Sequence, residues 1–79
     1  MKTPVLIQTL FGEWVTATRA KKGILRKQFV PFGLSESAIK SIEDNHHDVR
    51  LTTFINVCYA LGEDPLKMLA RFIKEAEKS

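Results

Sequence analysis

Gly33-Leu34-Ser35-Glu36-Ser37-Ala38-Ile39-Lys40-Ser41-Ile42-Glu43-Asp44 is the stretch from which the fold is read. Gly33 has no Cβ and takes a positive φ without steric cost, so it can end one helix and turn the chain. Ser35 then stands at a favoured N-cap position, where its hydroxyl can accept from an orphan backbone N–H. Leu34, Ala38, Ile39 and Ile42 share one stripe of a short helix predicted over 35–44. Glu36, Ser37, Lys40 and Ser41 take the opposite face, and none of them is bulky and apolar. A helix buried on one side with a narrow polar edge on the other fits a DNA major groove. Such a face also fits a solvated helix of any small helical domain, so the neighbouring chain decides.

Upstream, a helix is predicted over 25–31, with Leu25, Phe29 and Val30 inward and Arg26, Lys27 and Gln28 outward. Pro31 is expected to stop it, because the residue before a proline is pushed out of the α region. Pro31-Phe32-Gly33 then reads as a tight turn. Further back, Phe11, Val15 and Thr18 share one face of a helix over 10–21, with Leu10, Trp14 and Ala17 beside them. Lys21 and Lys22 in its last turn suit the negative end of the helix dipole. Pro4 leaves Val5 to Thr9 as either a short extended arm or the run-in to this helix. Trp14 is expected to pack against that arm or against a partner subunit. Helix, tight turn and helix with a corner at Gly33 make a helix-turn-helix pattern.

Downstream, Asn45 to Val49 has no apolar period and reads as a loop. The adjacent His46 and His47 diverge in direction, and no further residues at zinc spacing join them, so no metal site is read there. Leu51, Phe54, Ile55, Cys58 and Leu61 recur at helical spacing over 51–61, and Gly62 ends that helix. Asp64 as N-cap and Pro65 at the first helical position open a helix over 65–77. Its main apolar stripe is read as Leu66, Leu69, Ala70 and Ile73, with Met68 and Phe72 as an offset second stripe. Two stripes exceed what one small core needs, and the surplus points to a partner surface.

The chain has 79 residues, which makes one small domain able to bury only about 60% of its unfolded surface. Cys58 is the single cysteine, so no intrachain disulfide assists; it is expected to be a small buried apolar residue. No N-terminal run is long enough for a signal peptide or a membrane span, and a soluble cytoplasmic protein is expected. The net charge of +3 is unevenly spread. Residues 19–40 carry six cations against Glu36 alone, a net of +5. A local basic concentration of this kind is an electrostatic footprint for a polyanion. No nucleophile–base pair, paired carboxylates, glycine-rich phosphate loop, cofactor motif or metal set is present, which speaks against an enzyme.

With five helices laid out, the chain resembles the Cro/repressor-type (XRE-like) helix-turn-helix family of bacterial and phage regulators. The resemblance rests on Phe11-Gly12-Glu13 with Val15 and Arg19, on Lys22-Gly23-Ile24 and on Gly33-Leu34-Ser35. It continues through Ile39, Ile42-Glu43 and Leu61-Gly62-Glu63-Asp64-Pro65-Leu66. It implies an all-α, five-helix, lambda-repressor-like domain that binds operator DNA as a homodimer among the nucleoid-associated regulators. The ending Phe72-Ile73-Lys74-Glu75 also resembles restriction–modification controller proteins, which pair through the last helix. That likeness makes Met68, Leu69, Phe72 and Ile73 the candidate dimer interface. Two positions depart from the family. It usually has one more residue before the Gly33 corner and rarely a proline there, and it favours glutamine where Arg26 stands.

On this reading Glu36, Ser37, Lys40 and Ser41 face the bases. Glu36 would accept from a cytosine amino group and Lys40 would donate to guanine. Arg19, Arg26, Lys27, Ser35, Asn45 and Arg50 would hold the backbone, and Thr52 and Thr53 would offer hydroxyls and N–H groups to a phosphate. The rival expectation is a protein-interaction module of the same fold, as an antitoxin or anti-repressor, signalled by Glu36 beside the shortened turn.

Overall fold

A computed structural model describes residues 3–45 and 49–78. The chain is all-α. Four α-helices, α1 (Thr3–Lys22), α2 (Glu36–Glu43), α3 (Leu51–Ala60) and α4 (Pro65–Glu77), are joined by a 3-10 helix (Arg26–Phe32) between α1 and α2. No helix among the described residues is long and apolar enough to cross a membrane. His46 and His47, with most of the expected loop around them, lie outside the described residues.

α1 begins at Thr3, well before the expected Leu10, so the stretch from Val5 to Thr9 is helix and not an extended arm. Pro4 falls in the first turn, where a missing N–H costs nothing. The core is built on three rings. Phe11 of α1 lies 4.9 Å from Phe54 of α3 and 6.1 Å from Phe72 of α4, centroid to centroid. Trp14 meets Phe72 edge-on at 5.6 Å, so it packs on its own α4 and not on an N-terminal arm. Aromatic pairs of this kind add roughly 0.5–1.5 kcal/mol each beyond their buried area. Val15, Val57, Cys58 and Leu61 close the cluster. Cys58 is fully buried, and burial, with the charges of Glu63 and Asp64, pushes its thiol up to about 11.

In α4 the two stripes are exchanged. Met68, Phe72 and Ala76 face the core, whereas Leu66 is 77% exposed and Ile73 is also exposed. Met68 and Phe72 are therefore not free to pair with another subunit. The ring cluster selects them, because Phe72 alone reaches Phe11, Trp14 and Phe54 together. In α3 likewise, Val57 is buried and Leu51 is 66% exposed, against expectation.

Pro31 does not stop the second helix. The chain continues through Phe32 as a seven-residue 3-10 helix, and Gly33, at φ 78°, caps it. The Gly33 N–H donates to the Val30 carbonyl and the Leu34 N–H to that of Phe29. A 3-10 helix rises about 2.0 Å per residue against 1.5 Å in an α-helix. Over this segment the gain is about 3.5 Å, close to the reach of one extended residue. Only Phe29 of the expected inward set is buried, and Leu25 and Val30 are exposed.

Candidate nucleic-acid interface

α2 is held from behind. Ile39 and Ile42 are buried, and α1 crosses behind α2 at Gly12. A Cβ on Gly12 would stand 2.6 Å from the Ile42 carbonyl oxygen, so only glycine permits this approach. At the front, Ser35 caps the helix as expected, its Oγ accepting from the Ala38 N–H at 3.1 Å. The Ser35 and Ser37 hydroxyls lie 3.3 Å apart. Glu36, Ser37 and Lys40 are exposed and share an edge, while Ser41 is turned halfway into the interior. Lys40 lies 3.6 Å from Asp44 one turn on, an exposed pair of a kind worth a few tenths of a kcal/mol at most.

At the C-terminal end of α2 the charges are spent on one another. Glu43, at the end of α2, has a side chain only 3% exposed. Its Oε2 accepts from Arg19 Nε at 2.8 Å. Its Oε1 accepts from Arg26 Nη2 at 2.7 Å and Nε at 2.9 Å, and from Arg19 Nη2 at 3.2 Å. Arg19 also donates to the Ile24 carbonyl, 3.1 Å away. One carboxylate thus ties α1, the 3-10 helix and α2 together. Burial acts to raise the Glu43 pKa, but the hydrogen bonds and charges of Arg19 and Arg26 outweigh it and hold the carboxyl below its ordinary value.

The expected phosphate-binding set is therefore divided. Arg19 and Arg26 are committed to Glu43. Asn45, in the left-handed region at φ 59°, accepts from Gln8 Nε2 and donates to Thr9 Oγ1, both at 3.0 Å, which ties the end of α2 to α1. Lys27 and Arg50 are exposed. Arg50 holds the N-cap position of α3 but makes no capping hydrogen bond. Thr52 is exposed and Thr53 half-buried, and no Cα of α3 comes within 8 Å of one of α2. The structure thus brings Glu36, Ser37 and Lys40 together on one edge and leaves the α3 residues apart from it. Lys22 is also engaged, its Nζ donating to the Leu61 carbonyl and to Glu63 Oε2. Of the six cations of residues 19–40, Arg19, Lys22 and Arg26 are thus engaged within the fold, whereas Lys21, Lys27 and Lys40 are exposed.

Two features went unread in the sequence. Glu43 bore no mark as an anchor, since its partners lie 24 and 17 residues away. Gly12 did carry a signal, a glycine in the middle of an apolar helix. Elsewhere, an apolar cleft of about 430 Å³ opens between the first half of α1, the start of α3 and α4, lined by Ile7, Phe11, Val49, Leu51, Phe54 and Leu69. No protein-family model, curated protein or solved structure matches the chain.

Proposed function

We propose that this protein binds double-stranded DNA sequence-specifically, inserting the Glu36–Ser37–Lys40 edge of α2 into the major groove as a transcriptional regulator. The observation that carries this reading is the condition of α2. Its back is fixed by Ile39, Ile42 and Gly12 and its C-terminal end by Glu43, and its front is a narrow, exposed polar edge that begins at a capped N-terminus. Such an edge reads bases through hydrogen bonds to their groove atoms, worth about 1–3 kcal/mol per good pair. Lys40 would donate to guanine and Glu36 would accept from cytosine. With Arg19 and Arg26 tied to Glu43, the backbone falls to Lys27, to Arg50 and to backbone N–H groups. Their tie to Glu43 makes the two arginines positioning residues for α2.

A homodimer completes the reading. Leu66 and Ile73 are exposed on α4 on the same side as Leu69, which lines the apolar cleft beside the exposed Leu51. A second copy covering this edge would carry two α2 helices to successive major grooves, about 34 Å apart, on a near-palindromic site. Electrophoretic shift of genomic fragments in rising salt tests the reading. Discrete fragments that stay bound as salt rises support it; no shift at any salt contradicts it.

One observation favours a second reading, a protein-interaction module. Leu25, Val30 and Phe32 are exposed along the 3-10 helix that leads into α2, an apolar surface suited to a protein partner. A null result in the shift assay, with Val30→Glu abolishing capture of a protein partner, would select it.

A further inference from the structure

Lys67, Arg71 and Lys74 of α4 and Lys78, its C-cap, follow at intervals of four, three and four residues, a single helical stripe. At 1.5 Å per residue the row is about 16 Å long. All four are exposed. Arg71 donates to Glu75 at 3.2 Å, whereas Lys67, Lys74 and Lys78 have no acidic partner within ion-pair distance among the described residues. The four line a shallow trough of about 440 Å³ together with Ala70 and Glu75. The opposite side of the helix, Met68, Phe72 and Ala76, is core. α4 rests on α1 and α3, and no Cα of α4 comes within 8 Å of one of α2.

Of the cations of residues 19–40, Arg19 and Arg26 are paired with Glu43 and Lys22 with Glu63. Residues 63–79 carry as many acidic as basic groups, yet Lys67, Lys74 and Lys78 stand in a row with no ion-pair partner among the described residues. We propose that this row is a second contact for a nucleic-acid duplex, made to its phosphate backbone without regard to sequence. Lysine ammoniums are point charges suited to phosphates. A docked protein segment would need an anchoring apolar pocket, and this trough offers only the Ala70 methyl. A membrane surface would need bulky apolar side chains beside the cations, and none lines this trough; the exposed Leu66 and Ile73 are not among its lining residues. Leu66 and Ile73 lie round the helix, on the Leu69 side. The row thus stays open when the apolar edge is covered and when α2 is occupied. The proposal goes beyond the reading of α2 and does not require it.

Fluorescence anisotropy of a labelled random-sequence duplex tests it, with the full chain and the triple variant Lys67→Ala/Lys74→Ala/Lys78→Ala. These positions are exposed, and circular dichroism confirms the fold. Affinity at about 50 mM salt is expected to fall roughly tenfold or more, and the slope of log K against log salt to shrink by about 2.7, for three phosphates released. The corresponding Lys→Arg triple variant is expected to retain binding. An unchanged duplex affinity and slope in the Ala variant overturns the proposal. So does a loss seen only with polyglutamate or phosphatidylserine vesicles, which assigns the row to a protein or a membrane. Failure of the α2 reading shows separately, as absence of sequence preference in the wild-type chain.

Discussion

The C-terminal end and the front edge of α2 hold their charges in opposite conditions. At the C-terminal end, Glu43 is nearly sealed from water and fastened by two guanidinium groups drawn from α1 and the 3-10 helix. At the front, Glu36, Ser37 and Lys40 stand in solvent, with the contacts of Lys40 to Asp44 and of Ser37 to Ser35. The same helix thus uses one set of polar groups to fix itself and leaves another uncommitted. Side chains that must read a partner are best carried on an element whose own position is over-determined. The cationic stretch before α2 thus supplies, in Arg19 and Arg26, the mount of the helix.

Removing the mount should do most damage. Glu43→Ala leaves two partly buried guanidiniums without their carboxylate and is expected to cost about 3 kcal/mol in urea unfolding. Glu36→Ala at the front is expected to stay within about 0.5 kcal/mol. Equal losses from the two would break the contrast. Gly12→Ala comes next. Its methyl meets the Ile42 carbonyl, and overpacking of about 1–3 kcal/mol outweighs the gain in helix propensity, which is about 1 kcal/mol at most. A lower Tm is the readout. Ser35→Ala removes the cap that starts the front edge and is expected to cost about 1 kcal/mol.

The smallest effect sharpens the contrast by pH. The folded-state pKa of Glu43 lies below its ordinary 4.5, so the ionised carboxylate contributes stability above that value. The contribution is lost as pH falls through the folded value. Acid unfolding followed by circular dichroism should show this loss in the wild type and not in Glu43→Gln.

The sequence made α2 legible because its determinants are local. The Gly33 corner, the Ser35 cap and the Ile39–Ile42 stripe all sit within a dozen residues, and each is where the pattern puts it. α4 was legible as a helix, with its Asp64 cap accepting from the Leu66 N–H, but not in its rotation. Leu66, Leu69 and Ile73 make as apolar a stripe as Met68, Phe72 and Ala76. Rings contributed by α1 and α3 decide between them, and a periodicity within one helix holds no record of those. The fate of Arg19 and Arg26 was hidden for the same reason. Counting charge along the chain gives what is present but not what is paired, and the partner lies on another helix. Pro31 misled by a different route, since it bars an α-helix while a 3-10 helix accommodates it.

Base reading by the exposed edge of α2, as proposed, is tested by selection of bound duplexes from a random pool, run with the wild-type chain and with Lys40→Ala. The expected result is a near-palindromic motif with half-sites about 34 Å apart. Lys40→Ala should relax one position in each half-site, at a cost of about 1–3 kcal/mol. A pool that yields no motif, or a motif unchanged by Lys40→Ala, would contradict it.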